Sequence, residues 1–428
     1  MSSLTEKLKV MGVKVGTADL PPPMPVERYE IDAVVTGSYR STALGDVFVS
    51  EQLFEKSYHH GMTPFLPSAQ MGIIAQWAGQ TKLAELPLER FVFLDTETSG
   101  LAGGTGTLAF LVGVGRFVDD HFLLQQYFMR DPAEESALLE GLADFLAPAE
   151  ALVTFNGKAF DAPLLVTRYT MHRIPVPFKG YAHLDLLPLA RRLWRDRLPS
   201  RALKYIEEHV LGMTRSTEEV PGYEIPWLYF DYLRSGDARP LEGVFYHNAM
   251  DVVAMAALLA HTSSLTSDPY SGRVQHGLDF VALAKLYEDL GHWDHAARLY
   301  ELGLQSGLST QQNEELRIDP PNGLGKSSFS ISDFDTAVKR LSILHKRRGD
   351  LEQAVQLWQT AAGEGHIYAY VELAKYYEHR LRDVKSATSW TVTALKELKK
   401  SDLPTYVCKY WRAELEHRLD RLKRKGGL

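Results

Sequence analysis

The sequence predicts an α/β domain built on a mixed sheet flanked by helices, followed by an all-α helical repeat region. Three observations carry this fold class. Between residues 90 and 186, apolar runs of strand length come first as a consecutive group and then alternate with helical stretches. Residues 200–262 read as helical, and after 270 the strand signals vanish. Beyond that point, segments of similar helical pattern recur.

FVFLDTET opens the α/β domain as a buried strand that turns acidic at its end. LAFLVGVGRFV and HFLLQQYFM are the next two strands, joined by links short enough for hairpins. Asp131-Pro132 then starts a helix, PAEESALLEGLADFL, with Asp as cap and Pro in the first turn. ALVTFNG is a fourth strand, DAPLLVTRYTMHR a helix, and AHLDLL a fifth strand followed by a basic helical stretch. Alternation after the third strand suits parallel crossovers and leaves the acidic strand central. Ser200 caps RALKYIEEHVLG, which ends at Gly212, and EGVFYHNAMDVVAMAALLAH is a strongly apolar helix.

Before this domain, residues 1–85 read as an N-terminal appendage with a Pro-rich arm, DLPPPMP, and short strands in IDAVVTGS and DVFVSEQLF. The α/β domain is expected over 86–262 and the helical repeats over 270–428. Three repeat segments begin at 283, 341 and 373, each with Leu at its start and Tyr300, Trp358 or Trp390 at its end. The last two start near the roughly 34-residue period of tetratricopeptide-type hairpins. A polar interruption covers 310–332.

The chain has 428 residues, 45% apolar and 24% charged, with a net charge of −7. No global basic field exists, so a polyanion needs a local patch or metal ions to hold it. The single cysteine, Cys408, excludes a disulfide framework and a cysteine zinc site and suits a reducing compartment. MSSLTEKLKV lacks a signal-peptide core, and no apolar run approaches the roughly 18–20 residues that span a membrane. A cytoplasmic protein without membrane contact is expected.

The chemistry gathers on Asp95 and Glu97. Positions i and i+2 of a strand share a face, about 6.5–7 Å apart. Two like charges there raise each other's pKa, so the strand either tolerates a cost or holds a cation. Downstream, FNGKAFDAPLL puts Asp161 at a helix start, and HNAMD puts His247 and Asp251 four apart on one helix face. Four carboxylates and a histidine form a two-metal site in prospect, with hard oxygen donors that suit Mg²⁺ or Mn²⁺. Each has a plainer reading: a solvated strand end for Asp95 and Glu97, a helix cap for Asp161, a satisfied helix histidine for His247.

DTET, then FNGKAFDAPLLVTR, then HNAMD resemble the three exonuclease motifs of the DEDD superfamily on a ribonuclease H-like fold. The middle motif is closest to that of family B polymerase proofreading domains. The longer pattern FLDTETSGLAGGTGTLAFLVGVGRF with YHNAMDVV resembles the YprB-type ribonuclease H-like family, over roughly 90–262. The resemblance implies Asp95 and Glu97 as first-motif metal ligands, Asp161 as the second-motif carboxylate and Asp251 as the third-motif ligand. It implies two Mg²⁺ or Mn²⁺ ions and a 3′–5′ exonuclease acting on single-stranded DNA or RNA. The third motif departs from both usual versions: His247 stands four residues before Asp251 and Tyr246 five before, so type and spacing are exchanged. His247 is expected to handle the proton of the attacking water, with Tyr246 as the fallback.

Asn156, Lys158, Arg168 and Tyr246 are expected to face the substrate. RRLWRDRLPSRALK, with Trp194 for stacking, is a candidate phosphate-tracking patch, weighed against a solvated helix face. Asp185 is expected to play a supporting role. GLGKS (323–327) is no phosphate loop, because Pro320 stands where a Gly is required. The repeats offer a surface to a protein partner. The competing function is a catalytically degenerate nucleic-acid-binding or scaffold protein that works through its helical repeats. A carboxylate-pair glycosidase explains neither the set of four carboxylates nor the FNGKAFD context.

Overall fold

The computed structural model describes residues 28–65, 70–100, 106–216, 219–311, 331–401 and 403–426. DLPPPMP, GLGKS and LAGGT (101–105), in the link that follows FVFLDTET, lie outside the described residues.

Seven strands form the main sheet: β1 (Ser38–Thr42), β2 (Gly45–Phe54), β5 (Phe91–Thr98), β6 (Ala109–Val118), β7 (His121–Phe128), β8 (Ala151–Thr154) and β9 (Ala182–Asp185). Their order is β1-β2-β7-β6-β5-β8-β9. A separate small ribbon pairs β3 (His59–His60) with β4 (Thr63–Pro64). β5, β6 and β7 run antiparallel, while β5–β8 and β8–β9 are parallel. This is the mixed sheet expected, with the acidic strand in its interior. β6 is buried along nearly its whole length, as an apolar strand covered on both faces must be. The β6–β7 turn closes on Asp119 in the left-handed region, at φ 51°, a conformation Asp tolerates better than most residues.

The expectation of an N-terminal appendage is corrected. β1 and β2 extend the main sheet, with β2 paired along β7 from Phe48↔Phe128 to Phe54↔Phe122. IDAVVTGS is mostly not a strand, since Ile31–Ala33 is a 3-10 turn.

Alternation along β5 splits the core in two. Val92 and Leu94 face a core built with α2 (Glu135–Leu146), α3 (Asp161–Met171) and α6 (Ile225–Ser235). Phe91 and Phe93 face a second core, with α1 (Gly72–Trp77), α4 (Leu186–Trp194), the short α5 (Leu203–Ile206) and most of α7 (Glu242–Ser267). Asp131 accepts from the Ala133 N–H at 2.8 Å just ahead of α2, as its Asp-Pro signature requires. One helical stretch among the described residues, 239–267, is long and apolar enough to cross a membrane, contrary to expectation. It is apolar because it is a core helix, with 78% of its most apolar stretch buried in the protein.

Each of the three similar C-terminal segments folds as a helical hairpin. These are α8 (Gly277–Asp289) with α9 (Trp293–Gln311), α10 (Ile331–Arg348) with α11 (Leu351–Gly363), and α12 (Ile367–His379) with α13 (Val384–Lys400); α14 (Thr405–Gly426) follows. Gly291 and Gly349 take φ of 82° and 88° at two of the turns, and Arg382, at 54°, takes that place in the third. Tyr300 and Trp358 are buried and Trp390 partly so, all in the core as their spacing suggests.

Candidate active site

β8 pairs with β5 only as far as Val153↔Phe93. Asp95 and Glu97 therefore run on past the end of β8, at the carboxyl edge of the parallel part of the sheet. Such edges are where open α/β sheets leave a crevice. A bulge between Glu97 and Thr98 bends β5 at the same point. Both carboxylates share the face of Phe91 and Phe93, against which α7 packs.

α7 brings Tyr246, His247, Asn248 and Asp251 to this end of the sheet. Asn248 is wholly buried; its Nδ2 donates to Asp95 Oδ2 at 2.9 Å. Its Oδ1 accepts from Gln126 Nε2 at 3.0 Å, and Gln126 also donates to the Phe245 carbonyl at 2.8 Å. Gly113, opposite Asp95 in the register, makes room: a Cβ there would lie 2.2 Å from Asn248 Oδ1. His247 and Asp251 sit one turn apart, with Nε2 3.7 Å from Asp251 Oδ2. The Tyr246 hydroxyl accepts from the Ser216 N–H at 3.0 Å.

Asp161 approaches from the other face. Thr96, alternate to Asp95 and Glu97, donates its hydroxyl to Asp161 Oδ1 at 2.5 Å. Asp161 is the first residue of α3, not its cap. Asp185 is the anchor of the FNGKAFD loop: it accepts from the N–H groups of Asn156 (2.8 Å), Lys158 (3.1 Å) and Leu187 (3.0 Å). Asn156 sits at φ 70°, a left-handed conformation that Asn takes more readily than most. Lys158 and its neighbour Phe160 are exposed, Phe160 at 61%.

A buried cation that the sequence reading missed joins this group. Arg215 donates Nη2 to Asp251 Oδ1 at 2.5 Å, Nε to Glu207 Oε2 at 2.6 Å and Nη1 to Glu219 Oε1 at 2.8 Å. Glu207, on a π-helical turn (Glu207–Leu211), also binds His60 Nε2 at 2.6 Å, so β3 is tied into the network. Nothing periodic surrounds Arg215 in the sequence, and no local signal points to it.

The electrostatics follow from crowding. Burial, then Asp251, Glu97 and Asp161, push the Asp95 carboxyl well above the usual range, against the opposing Asn248 hydrogen bond. Burial, then Asp251 and Asp161, push Glu97 up to about 8, with Arg215 offsetting part of the effect. Burial raises Asp161 as well, although the Thr96 hydroxyl opposes it. Burial works against the charge of Arg215, but Asp251 and Glu207 outweigh it and hold the guanidinium protonated. Among the described residues no three His, Asp or Glu side chains converge closely enough to enclose an ion. The reason lies in the contacts above: Thr96 holds Asp161 on one face and Arg215 holds Asp251 on the other. The donor set itself fits a divalent ion. Asp95, Glu97 and Asp161 are hard, buried carboxylates that no cation pairs with among the described residues, and Arg215, which pairs with Asp251, is shared with Glu207 and Glu219.

Two expected substrate contacts are corrected. Arg168 is buried, its guanidinium paired through Nε and Nη2 with both oxygens of Glu135. Part of the basic stretch docks the first helical hairpin: Arg192 pairs with Asp289, Arg197 with Asp279 at 2.8 Å, and Asp196 with Lys285 at 2.9 Å, while Arg191, Arg195 and Lys204 stay exposed. Trp194 is only 1% exposed and cannot stack on a base.

This sheet, with its acidic central strand and the α7 carboxylate beside it, defines a ribonuclease H-like domain, and residues 92–263 match the RNase_H_2 model of the RNase_H superfamily. The chain is 31% identical over 351 residues to the uncharacterized protein YprB of Bacillus subtilis (strain 168), covering 79% of this chain and 78% of that protein. It belongs to the YprB family. Among solved structures, the family B DNA polymerase of the hyperthermophilic archaeon Pyrobaculum calidifontis aligns with 15% identity and a TM-score of 0.34. That alignment covers 79% of this chain and 51% of the polymerase chain, and at this score it bears on neither fold nor function.

Proposed function

We propose that this chain is a divalent-metal-dependent nuclease, a 3′–5′ exonuclease that hydrolyses phosphodiester bonds of single-stranded DNA or RNA in the cytoplasm. The observation that carries the reading is the charge-coupled set Asp95, Glu97, Asp161 and Asp251 at the carboxyl edge of the sheet, with His247 beside it. These four carboxylates would hold two Mg²⁺ or Mn²⁺ ions. Bound ions of this kind polarise phosphoryl oxygens and lower the pKa of water. The chain's own residues do the remaining work. His247 accepts a proton at Nε2, the nitrogen beside Asp251. Asn248 orients Asp95, and Thr96 orients Asp161. Lys158 and Asn156, on the loop that Asp185 pins, meet the phosphates, and exposed Phe160 offers a stacking face to the terminal base. Tyr246, tied to the Ser216 backbone, forms a wall of the site. The helical hairpins offer a surface to a protein partner.

The test uses the purified chain with Mn²⁺ or Mg²⁺ and single-stranded DNA and RNA labelled at one end. A shortening ladder from a 5′ label, with free labelled nucleotide from a 3′ label, is expected. Asp95→Ala should lose more than about a hundredfold in rate. No cleavage of either polymer with either ion overturns the proposal. One observation favours the second reading, a degenerate nuclease fold that binds nucleic acid or scaffolds a partner: Arg215 already neutralises Asp251.

A further inference from the structure

His247 carries a buried Nδ1 atom without an aligned hydrogen-bond partner. The nearest charged group is Glu219 Oε1, at 3.2 Å. Glu219 lies in the loop between the π-helical turn and α6, and the same loop brings Gly222 over the ring: a Cβ at Gly222 would lie 3.9 Å from both Cε1 and Nε2. Both oxygens of Glu219 are engaged by cations. Arg215 Nη1 donates to Oε1 at 2.8 Å, and Lys204 Nζ donates to Oε2. A carboxylate held in this way is ionised and can only accept.

These contacts decide where the imidazole proton sits. An unprotonated Nδ1 would face a carboxylate oxygen lone pair to lone pair at 3.2 Å, inside a buried pocket. A protonated Nδ1 becomes a donor to that oxygen after a small ring rotation. Nε2, at 3.7 Å from Asp251 Oδ2, lies beyond direct hydrogen-bond reach and gains nothing comparable from carrying the proton.

We infer that Glu219 is a positioning residue that holds His247 as its Nδ1–H tautomer, leaving the Nε2 lone pair on the side of Asp251. The inference deepens the nuclease reading and rests on it for its catalytic consequence. Arg215 serves both members of the third motif at once: one nitrogen fixes Asp251, and another fixes the carboxylate that orients His247. This also gives the exchanged motif a physical logic. A histidine displaced by one residue from the position of the usual histidine class has its own acceptor, supplied by a loop outside the three motifs.

The test begins with nitrogen-15 NMR of histidine-labelled full-length protein, followed across pH to the plateau of the neutral ring, with His247→Gln to assign the signal. The expected spectrum is a neutral ring protonated at Nδ1, shifting toward the Nε2–H form in Glu219→Gln. A neutral ring protonated at Nε2 in the wild type overturns the inference. In the cleavage assay Glu219→Gln should lower kcat by about 10- to 100-fold with KM held within about twofold, the scale of lost orienting partners. Unchanged kcat would contradict it. Lys204→Met removes only the exposed cation from Glu219 and should lower kcat less, so a misfolded Glu219 variant does not end the test. If the wild type cleaves nothing, the nuclease reading fails, while the tautomer measurement still decides the assignment of Glu219.

Discussion

At the scale of single residues, the site is defined by charge that its surroundings do not compensate. Glu97 is held up to about 8 from an ordinary 4.5, first by burial and then by Asp251 and Asp161. The folded state therefore binds a proton that the unfolded state has released between those two pH values, and stability falls as pH rises through that window. In metal-free protein the melting temperature should decline between about pH 5 and pH 8, a loss on the order of a few kcal/mol. Glu97→Gln should flatten that slope, which thermal denaturation in chelator across the pH range will check. Residue-level reading of the sequence located Asp95, Glu97, Asp161, His247 and Asp251, because each lies in a short motif with its own local pattern. It did not locate Arg215 or Glu219, since their meaning comes only from distant partners. It misplaced Arg168, because a basic residue on an apparent helix does not reveal whether it faces water or a buried Glu135.

At the scale of elements, the site depends on how closely α7 approaches the sheet. Gly113 on β6 leaves the space that Asn248 fills, and Asn248 in turn holds Asp95. Gly113→Ala would place a methyl group 2.2 Å from Asn248 Oδ1 and 3.0 Å from Val252 Cγ2, so the Asn248 amide must give way, or the helix with it. The expected result is a loss of about 1–3 kcal/mol in stability, measured by denaturant titration, with cleavage lost more steeply than folding. The order of β5 to β9 and the three helical hairpins were readable from periodicity, since each is a local pattern of apolar spacing. β1 and β2 were readable as strands only in part. Their membership of the sheet comes from the pairing of β2 with β7, some seventy residues away in the chain, which no local window contains.

At the scale of the whole molecule, the ribonuclease H-like domain and the helical hairpins are joined through α4 and α8. Arg192, Asp196 and Arg197 are consumed in that joint. Arg192 and Arg197 of the basic run are therefore internal contacts, and the acidic crevice itself needs a means to draw a polyanion. A divalent cation on the β5 carboxylates would supply that means. The most direct measurement is Mn²⁺ binding to metal-free protein by electron paramagnetic resonance titration, in the wild type and in Asp95→Ala. Saturable binding by the wild type is expected, which Asp95→Ala abolishes or weakens by at least about tenfold, a loss of about 1.4 kcal/mol. Equal binding by both proteins, or none by the wild type, would contradict it.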